Sequence, residues 1–105
     1  LVPLMNNTKW DELRLAMYSL GGLAPRWRTK DAVSGHVSDW DGEWYYHFRR
    51  GGYRTIEWVE LELSVPEQFG RVVARLREIH VPGQLVGPGA RVYGYVPRGT
   101  PAEYI

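Results

Sequence analysis

The sequence contains no cysteine. Disulfide bonds, thiolate-ligated zinc and catalysis by a thiol are therefore excluded. A chain without cysteine needs no oxidising compartment to fold, and we predict a cytoplasmic location. The sequence also lacks an excess of either charge, because 13 basic and 12 acidic side chains leave a net charge of +1. The whole-chain charge thus provides no general attraction for nucleic acid or for an anionic membrane.

Long apolar runs are absent as well. No segment approaches the ~18 apolar residues of a transmembrane helix, so no membrane partner is predicted. The residues after Met5 do not have the form of a signal peptide, and we interpret residues 1–4 as a remnant of cloning that lies outside the predicted fold. Residues 5–105 have the length of a single domain, with a Gly- and Pro-rich end over 82–105.

Apolar residues at helical spacing predict two helices. The first is predicted over 8–20, behind a capping box that starts at Thr8. Its apolar face consists of Trp10, Leu13, Met17 and Leu20. The second begins at Pro66, a residue that suits the first turn of a helix. Its apolar stripe consists of Phe69, Val72, Val73, Leu76 and Ile79.

The segment 39–48 is half aromatic and has Asp41-Gly42 near its centre. Asp-Gly is among the strongest signals for a type I′ turn, because both central residues of that turn need φ > 0. We therefore predict a hairpin with strands over 36–40 and 43–49. Side chains alternate across a strand, so one face of the second strand is predicted to join the core. That face consists of Trp44, Tyr46 and Phe48.

Further strands are predicted over 26–30 and 55–64, and shorter ones over 84–86 and 91–96. The strand over 55–64 contains a conflict, because Ile56 and Trp58 share their parity with acidic residues. The other parity consists of Val59, Leu61, Leu63 and Val65. Either a bulge near Trp58 swaps the faces, or Ile56 and Trp58 lie on the outer face. We favour the outer-face placement.

These elements follow the order α-β-β-β-β-α-β. Hairpin-linked strands form antiparallel sheets, and two amphipathic helices can cover one face of such a sheet. We predict a two-layer α+β domain with an antiparallel sheet of about four to five strands and both helices on one face. The other face would be open, which makes it the first place to look for function.

Acidic residues suggest one kind of chemistry. Asp39, Asp41 and Glu43, with glutamates of the 55–64 strand, could supply a carboxylate pair for glycoside hydrolysis. No spacing rule selects such a pair, and turn formation and solvation explain the same residues. We predict no catalytic residue, and keep as the alternative function a small ligand-binding or hydrolytic domain that uses acidic and aromatic residues on the sheet face.

Histidines and basic residues in the same region suggest two other kinds of site. His36 and His47 would face each other across the predicted hairpin, but two exposed histidines are a commoner outcome than a zinc site, and we predict no metal or cofactor. Basic residues interleaved with Trp27 and Tyr53 could bind nucleic acid. They are Arg26, Arg28, Lys30, Arg49, Arg50 and Arg54. Acids in the same region argue against a continuous positive groove, and we predict no nucleic-acid partner.

A protein-binding surface is the remaining hypothesis. Trp, Tyr and Arg carry much of the energy of protein interfaces, and the region 40–58 is rich in them. We expect Trp10, Trp27 and Trp44 to be buried. The sequence does not decide whether Trp40 and Trp58 are buried or exposed. The predicted partner-binding residues are Asp39, Trp40, Asp41, Glu43, Tyr45, Glu57 and Trp58. A homodimer through a free sheet edge is a further possibility.

Three motifs resemble a family of short bacterial proteins of unknown function. They are Asn7-Thr8-Lys9-Trp10, Trp27-Arg28 with Lys30, and the run from Tyr53 to Glu60. Such families are similar to the small cytosolic proteins encoded beside polymorphic or contact-dependent toxins. The resemblance therefore implies a toxin-neutralising, immunity-type partner of another protein. The motifs that carry it are structural, so it implies no functional residue.

Overall fold

The computed structural model describes residues 1–105 and contains two antiparallel sheets and two α-helices. The helices are α1 (Asn7–Tyr18) and α2 (Pro66–Ile79), and a 3-10 turn spans Gly21–Leu23. The strands are β1 (Val2–Pro3), β2 (Arg26–Asp31), β3 (Ile56–Glu62), β4 (Gly83–Val86), β5 (Gly89–Tyr93) and β6 (Tyr95–Val96). The larger sheet has the order β2-β3-β5-β4, and β1 pairs with β6. The predicted α+β class is confirmed.

The core lies between the helices and one face of the four-stranded sheet. Leu13 and Met17 of α1 and Val72 and Leu76 of α2 are fully buried. They form one apolar cluster with Val59, Leu61, Ala90 and Val92 of the sheet. The predicted burial of Trp10, Trp27 and Trp44 is confirmed. Large rings thus fill much of a small core, as the Trp content indicates.

Both predicted helices form, with one change at a helix start. The side chain of Asn6 accepts a hydrogen bond from the Lys9 N–H at 2.8 Å and caps α1, so the helix begins before Thr8. Pro66 occupies the first turn of α2, as predicted. No helix is both long enough and apolar enough to cross a membrane.

The predicted hairpin is wrong. The predicted first strand and the first turn residue run along the outer edge of β2 instead. Val37 forms a bridge with Lys30, and Asp41 and Trp27 exchange two backbone hydrogen bonds of 2.8 Å. The segment after Gly42 forms turns rather than a strand. The physical reason is the Glu43 carboxylate, which accepts hydrogen bonds from three consecutive backbone N–H groups and so coils the chain. The larger sheet consequently has four strands, and its free edge is β4.

The predicted burial of side chains in the segment 43–49 is also partly wrong. Trp44 and Phe48 are buried, four residues apart, with ring centroids separated by 4.7 Å. Tyr46, which strand alternation places beside them, is 56% exposed. A helical type of turn brings residues i and i+4 together, whereas a strand groups i and i+2. The loss of the hairpin also removes the predicted pairing of His36 with His47.

A bulge in β3 resolves the conflict within that strand. Lys30 of β2 pairs with Trp58 whereas the next residue, Asp31, pairs with Ile56, so Glu57 is the extra residue. The bulge turns Ile56 into the core cluster, and Trp58 stays outside that cluster on the opposite face. The predicted outer placement is therefore correct for Trp58 and wrong for Ile56.

The first residues of the chain pair with β6, next to Gly94. Val2 and Pro3 pair with Val96 and Tyr95, and the Leu4 N–H donates to the Gly94 carbonyl at 2.8 Å. Residues 1–4, which the sequence prediction leaves outside the fold, thus contribute a strand to it. The predicted strand over 91–96 is interrupted at Gly94, which separates β5 from β6.

Candidate functional site

The structure divides the seven predicted partner-binding residues between two surfaces. Trp40, Glu57 and Trp58 belong to the outer face of the sheet, the face that the helices leave open. Asp41, Glu43 and Tyr45 belong to the loop that replaces the hairpin, where Asp41 and Glu43 bind the loop itself. Asp39 is exposed between these groups. The seven residues therefore do not form one cluster.

The outer face of the sheet carries a network of ion pairs. Strand register places Arg26 opposite Glu62 and Arg28 opposite Glu60. Arg26 donates two hydrogen bonds to Glu62, at 3.0 and 2.9 Å. Lys30 lies 3.4 Å from the carboxylate of Glu57. Alternating cations on β2 and acids on β3 thus neutralise each other.

Glu60 is the centre of this ion-pair network. One carboxylate oxygen accepts from Arg28 Nε at 2.8 Å, and the other accepts from Arg91 Nη2 at 2.6 Å. Burial opposes ionisation, but the hydrogen bonds from Arg91 and Arg28 outweigh it and lower the pKa of the Glu60 carboxyl. The same two guanidinium groups cover tryptophans: Arg28 lies 4.6 Å from the Trp40 ring centroid, and Arg91 lies 4.6 Å from that of Trp58.

This arrangement leaves little aromatic surface for a partner. Trp58, whose exposure the sequence left undecided, is only 9% exposed, so little of its ring is accessible to a partner. A shallow groove of about 230 Å³ lies between Trp40 and the turn that joins β4 to β5. Its walls include Trp40, Val86 and Pro88, and its acidic residues are Glu60 and Glu62. Both carboxylates are hydrogen-bonded to arginines, so the groove has no free acid–base pair.

The loop over 41–47 is held by its own acids. Asp41 accepts from the Glu43 N–H at 2.8 Å, and its other oxygen lies 2.9 Å from His47 Nδ1. Glu43 accepts from the N–H groups of Tyr45, Tyr46 and His47 at 2.6 to 3.0 Å. The His47 hydrogen bond is the largest of the effects that lower the pKa of the Glu43 carboxyl. Asp41 and Glu43 are therefore structural residues of this loop.

The loop presents an exposed cluster that we call the tyrosine–arginine patch, defined as Tyr18, Tyr45, Tyr46, Arg49 and Arg50. The three tyrosines are 53%, 47% and 56% exposed. The rings of Tyr18 and Tyr45 are 5.1 Å apart. The guanidinium of Arg49 lies 5.3 Å from the Tyr45 centroid and 5.9 Å from that of Tyr46, and Arg50 lies 5.3 Å from Tyr46. The five side chains thus form one continuous surface.

Arg14 anchors the patch to α1. Its side chain is buried, and its Nη1 donates to the Tyr45 carbonyl at 2.7 Å. Its Nε donates to the hydroxyl of Tyr53 at 3.1 Å, and that hydroxyl donates to Asp11 at 2.5 Å. Burial and the hydrogen bond to Asp11 raise the pKa of Tyr53 to about 12, so the hydroxyl remains a donor at neutral pH. A satisfied polar network therefore fixes the backbone beneath Tyr45.

Sequence reasoning missed most of this patch. Among its members, only Tyr45 was predicted to bind a partner. A signal was present, because Tyr45 and Arg49, and Tyr46 and Arg50, are each four residues apart. Trp44 and Phe48 repeat the same spacing, which is typical of a helical turn. Tyr18 lies off the apolar stripe of α1, which also indicates exposure.

Comparison with known proteins identifies the family of this chain. No curated protein and no solved structure matches it. A family model described as "Family of unknown function (DUF6678)" matches residues 1–99. That match includes both helices, all six strands and every residue of the tyrosine–arginine patch. The chain therefore belongs to this family of unknown function.

Proposed function

We propose that the protein is a non-enzymatic binding module that recognises another protein through the tyrosine–arginine patch. The observation that carries this proposal is the contiguity of three half-exposed tyrosines with two arginines. Tyrosine and arginine are enriched at the energetic centres of protein interfaces. Exposed apolar residues that are scattered singly are normal, whereas a continuous exposed cluster indicates an interaction site.

The patch is also preorganised. Tyr45 is supported from beneath by the buried Arg14, and the turn that carries it is fixed by the Glu43 carboxylate. A binding surface whose side chains are already restrained loses less conformational entropy on association. Two tyrosines on a fixed loop, beside Tyr18 at the end of α1, therefore suit recognition better than the same residues on a free chain.

The alternative function is a small ligand-binding or hydrolytic domain that uses the groove on the sheet face. A glycoside-type mechanism needs one carboxylic acid with a raised pKa. In the groove, Arg91 and Arg28 lower the pKa of Glu60, and Arg26 holds Glu62 in a two-fold hydrogen bond. These contacts disfavour the alternative and favour a binding role.

The biological setting belongs to the same proposal. Neutralisation of a toxin in the bacterial cytoplasm is the role that the resemblance of the three sequence motifs suggests. A homodimer would use β4, the edge strand of the sheet, beyond Gly83, which bonds to the C-terminal segment; Leu85 and Val86 there are 43% and 38% exposed. The patch and β4 are separate surfaces, so a dimer would leave the patch available.

The experiment is a capture from lysate of the source cell with three baits: the wild type, a Tyr45→Ala, Tyr46→Ala variant and a Tyr104→Ala control. Tyr104 is 48% exposed but lies outside the patch, stacked on His80. We expect a stoichiometric protein on the wild-type and control baits and its loss from the double variant. The captured protein, once purified, must bind the wild type directly, and circular dichroism must show that all baits are folded. Equal capture by all three baits contradicts the proposal.

A further inference from the structure

We infer that the surface recognised by the tyrosine–arginine patch is acidic, a protein segment that presents carboxylates to Arg49 and Arg50. This inference rests on the proposed function and adds the chemistry of the partner. It depends on which basic side chains the fold pairs with acids, and on the two unpaired arginines that lie beside the tyrosines of the patch.

The basic residues of the region 26–54 divide into those that lie in an ion pair and those that do not. Arg54 is exposed and in no ion pair, but it lies outside the patch. Arg26, Arg28 and Lys30 face the open side of the sheet, and each lies within an ion pair with a glutamate of β3. Arg49 and Arg50 have no carboxylate within 4.0 Å, and their guanidinium groups make no hydrogen bond within the chain. Strand register places a carboxylate beside each residue of the first group, whereas the turn places none beside Arg49 and Arg50.

Three acids of the loop and of α1 are already engaged, and the exposed Asp39 lies within an ion pair of neither arginine. Asp41 binds His47, and Glu43 accepts three backbone N–H groups. Asp11 is held by Tyr53 and Arg14. The patch therefore carries two uncompensated positive charges on a molecule whose net charge is only +1. This local excess is hidden in the whole-chain charge.

The two guanidinium groups lie beside tyrosine rings. Arg49 lies against Tyr45 and Tyr46, and Arg50 lies against Tyr46. A cation–π contact uses none of the N–H groups of a guanidinium in a hydrogen bond, so they can still donate to a carboxylate. Gly51 and Gly52, with φ of +77° and +80°, turn the chain directly after Arg50 and keep both arginines at the surface. This geometry suits paired hydrogen bonds to acidic side chains.

The same geometry disfavours a strand of nucleic acid. Sequence-independent binding of a single strand requires open aromatic faces for bases and a track of cations for phosphates. Here Tyr45 and Tyr46 each have two guanidinium groups beside the ring. Tyr18 and Tyr45 are tilted by 52° to each other, so they do not form a flat platform.

The test uses a defined acidic probe, a fluorescein-labelled hexaglutamate peptide, and measures its fluorescence anisotropy at low ionic strength. Three chains are compared: the wild type, an Arg49→Gln, Arg50→Gln variant and an Arg77→Gln, Arg98→Gln control. Arg77 and Arg98 are exposed and belong to no ion pair, so both variants lose the same charge. We expect the patch variant to bind about tenfold more weakly and the control to bind like the wild type. Binding should weaken as salt rises, because exposed charges are screened.

Three results would overturn the inference. The first is an equal loss of peptide affinity in both variants, which would indicate general charge attraction. The others are the absence of saturable binding, and tighter binding of a labelled twelve-nucleotide oligouridine than of the peptide. The proposed function can fail independently. If the Tyr45→Ala, Tyr46→Ala bait loses its captured protein while the Arg49→Gln, Arg50→Gln bait retains it, protein binding stands and the acidic partner surface does not.

Discussion

Single side chains determine the conformation of the functional loop. Glu43 replaces a strand ladder with a turn, because one carboxylate satisfies three consecutive N–H groups. Asp41 restrains the same loop through His47. Arg14 makes the equivalent connection from α1, through the Tyr45 carbonyl and the Tyr53 hydroxyl. These charged groups build the surface and are not themselves available to a partner.

Glu43→Gln should expose the contribution of this carboxylate through its pH dependence. Folding lowers the pKa of Glu43 from its ordinary value of 4.5, so its stabilisation is present above pH 4.5 and is lost as pH falls through the folded pKa. We expect the variant to unfold about 3 to 5 °C below the wild type at pH 7. The difference should shrink below pH 4.5, as measured by thermal unfolding in circular dichroism. Glu12→Gln, on the exposed side of α1, is the control and should unfold like the wild type. A difference independent of pH would contradict the role of the charge.

At the scale of elements, close backbone packing decides where strands begin and end. β5 and β6 are separated by Gly94, whose N–H donates to the Glu57 carbonyl at 2.7 Å at the bulge of β3. A Cβ atom at this position would collide with the Ile56 carbonyl oxygen and would lie 2.9 Å from Trp10. The bulge that turns Ile56 into the core is thus fitted against a residue without a side chain.

Gly94→Ala is therefore expected to destabilise the domain strongly. The added methyl group must displace backbone at the bulge, and overpacking of this kind costs about 1–3 kcal/mol. Thermal unfolding should shift down by roughly 10 °C for a domain of this size. Gly22→Ala is the matched control, because a Cβ there meets nothing within 4 Å, and its unfolding temperature should change little. Equal shifts in the two variants would show that the collision is relieved without cost.

At the scale of the whole molecule, the two ends of the chain close the structure together. β1 pairs with β6, and the C-terminal segment reaches β4, where the Gly83 N–H donates to the Glu103 carbonyl at 2.8 Å. The patch lies on the loop that follows the β2 edge and on the end of α1. The ion-pair network lies on the outer face of the sheet. The fold therefore separates a neutral face from a positive, aromatic one.

A chain that starts at Met5 should be folded but less stable. It would lose the pairing of β1 with β6 and the hydrogen bond between Leu4 and Gly94. Because Val2 and Pro3 are exposed, we expect a loss of only about 1 kcal/mol, measured as a lower urea midpoint with an unchanged slope. Its binding to hexaglutamate should equal that of the full chain, since the patch is untouched. An unchanged midpoint would show that the β1 pairing contributes nothing to stability.

The sequence by itself determined the elements whose signals are local. Helical spacing identified α1 and α2, and alternation identified β2 and the central part of β3, because apolar periodicity is imposed by burial of one face. These signals sufficed for the α+β class and for the burial of Trp10, Trp27 and Trp44. They also placed Trp58 on the outer face of the sheet.

The tertiary structure decided where local signals competed. Asp41-Gly42 favours a hairpin, but the edge of β2 pairs with the segment before it and the Glu43 carboxylate captures the N–H groups after it. The partners of charges were equally undetermined, because the counter-charges of Arg26 and Arg28 lie more than thirty residues away in the chain. Only the folded register shows that these arginines are neutralised while Arg49 and Arg50 are left free. The candidate site is defined by that difference, because charge compensation depends on distance in space and not on distance in sequence.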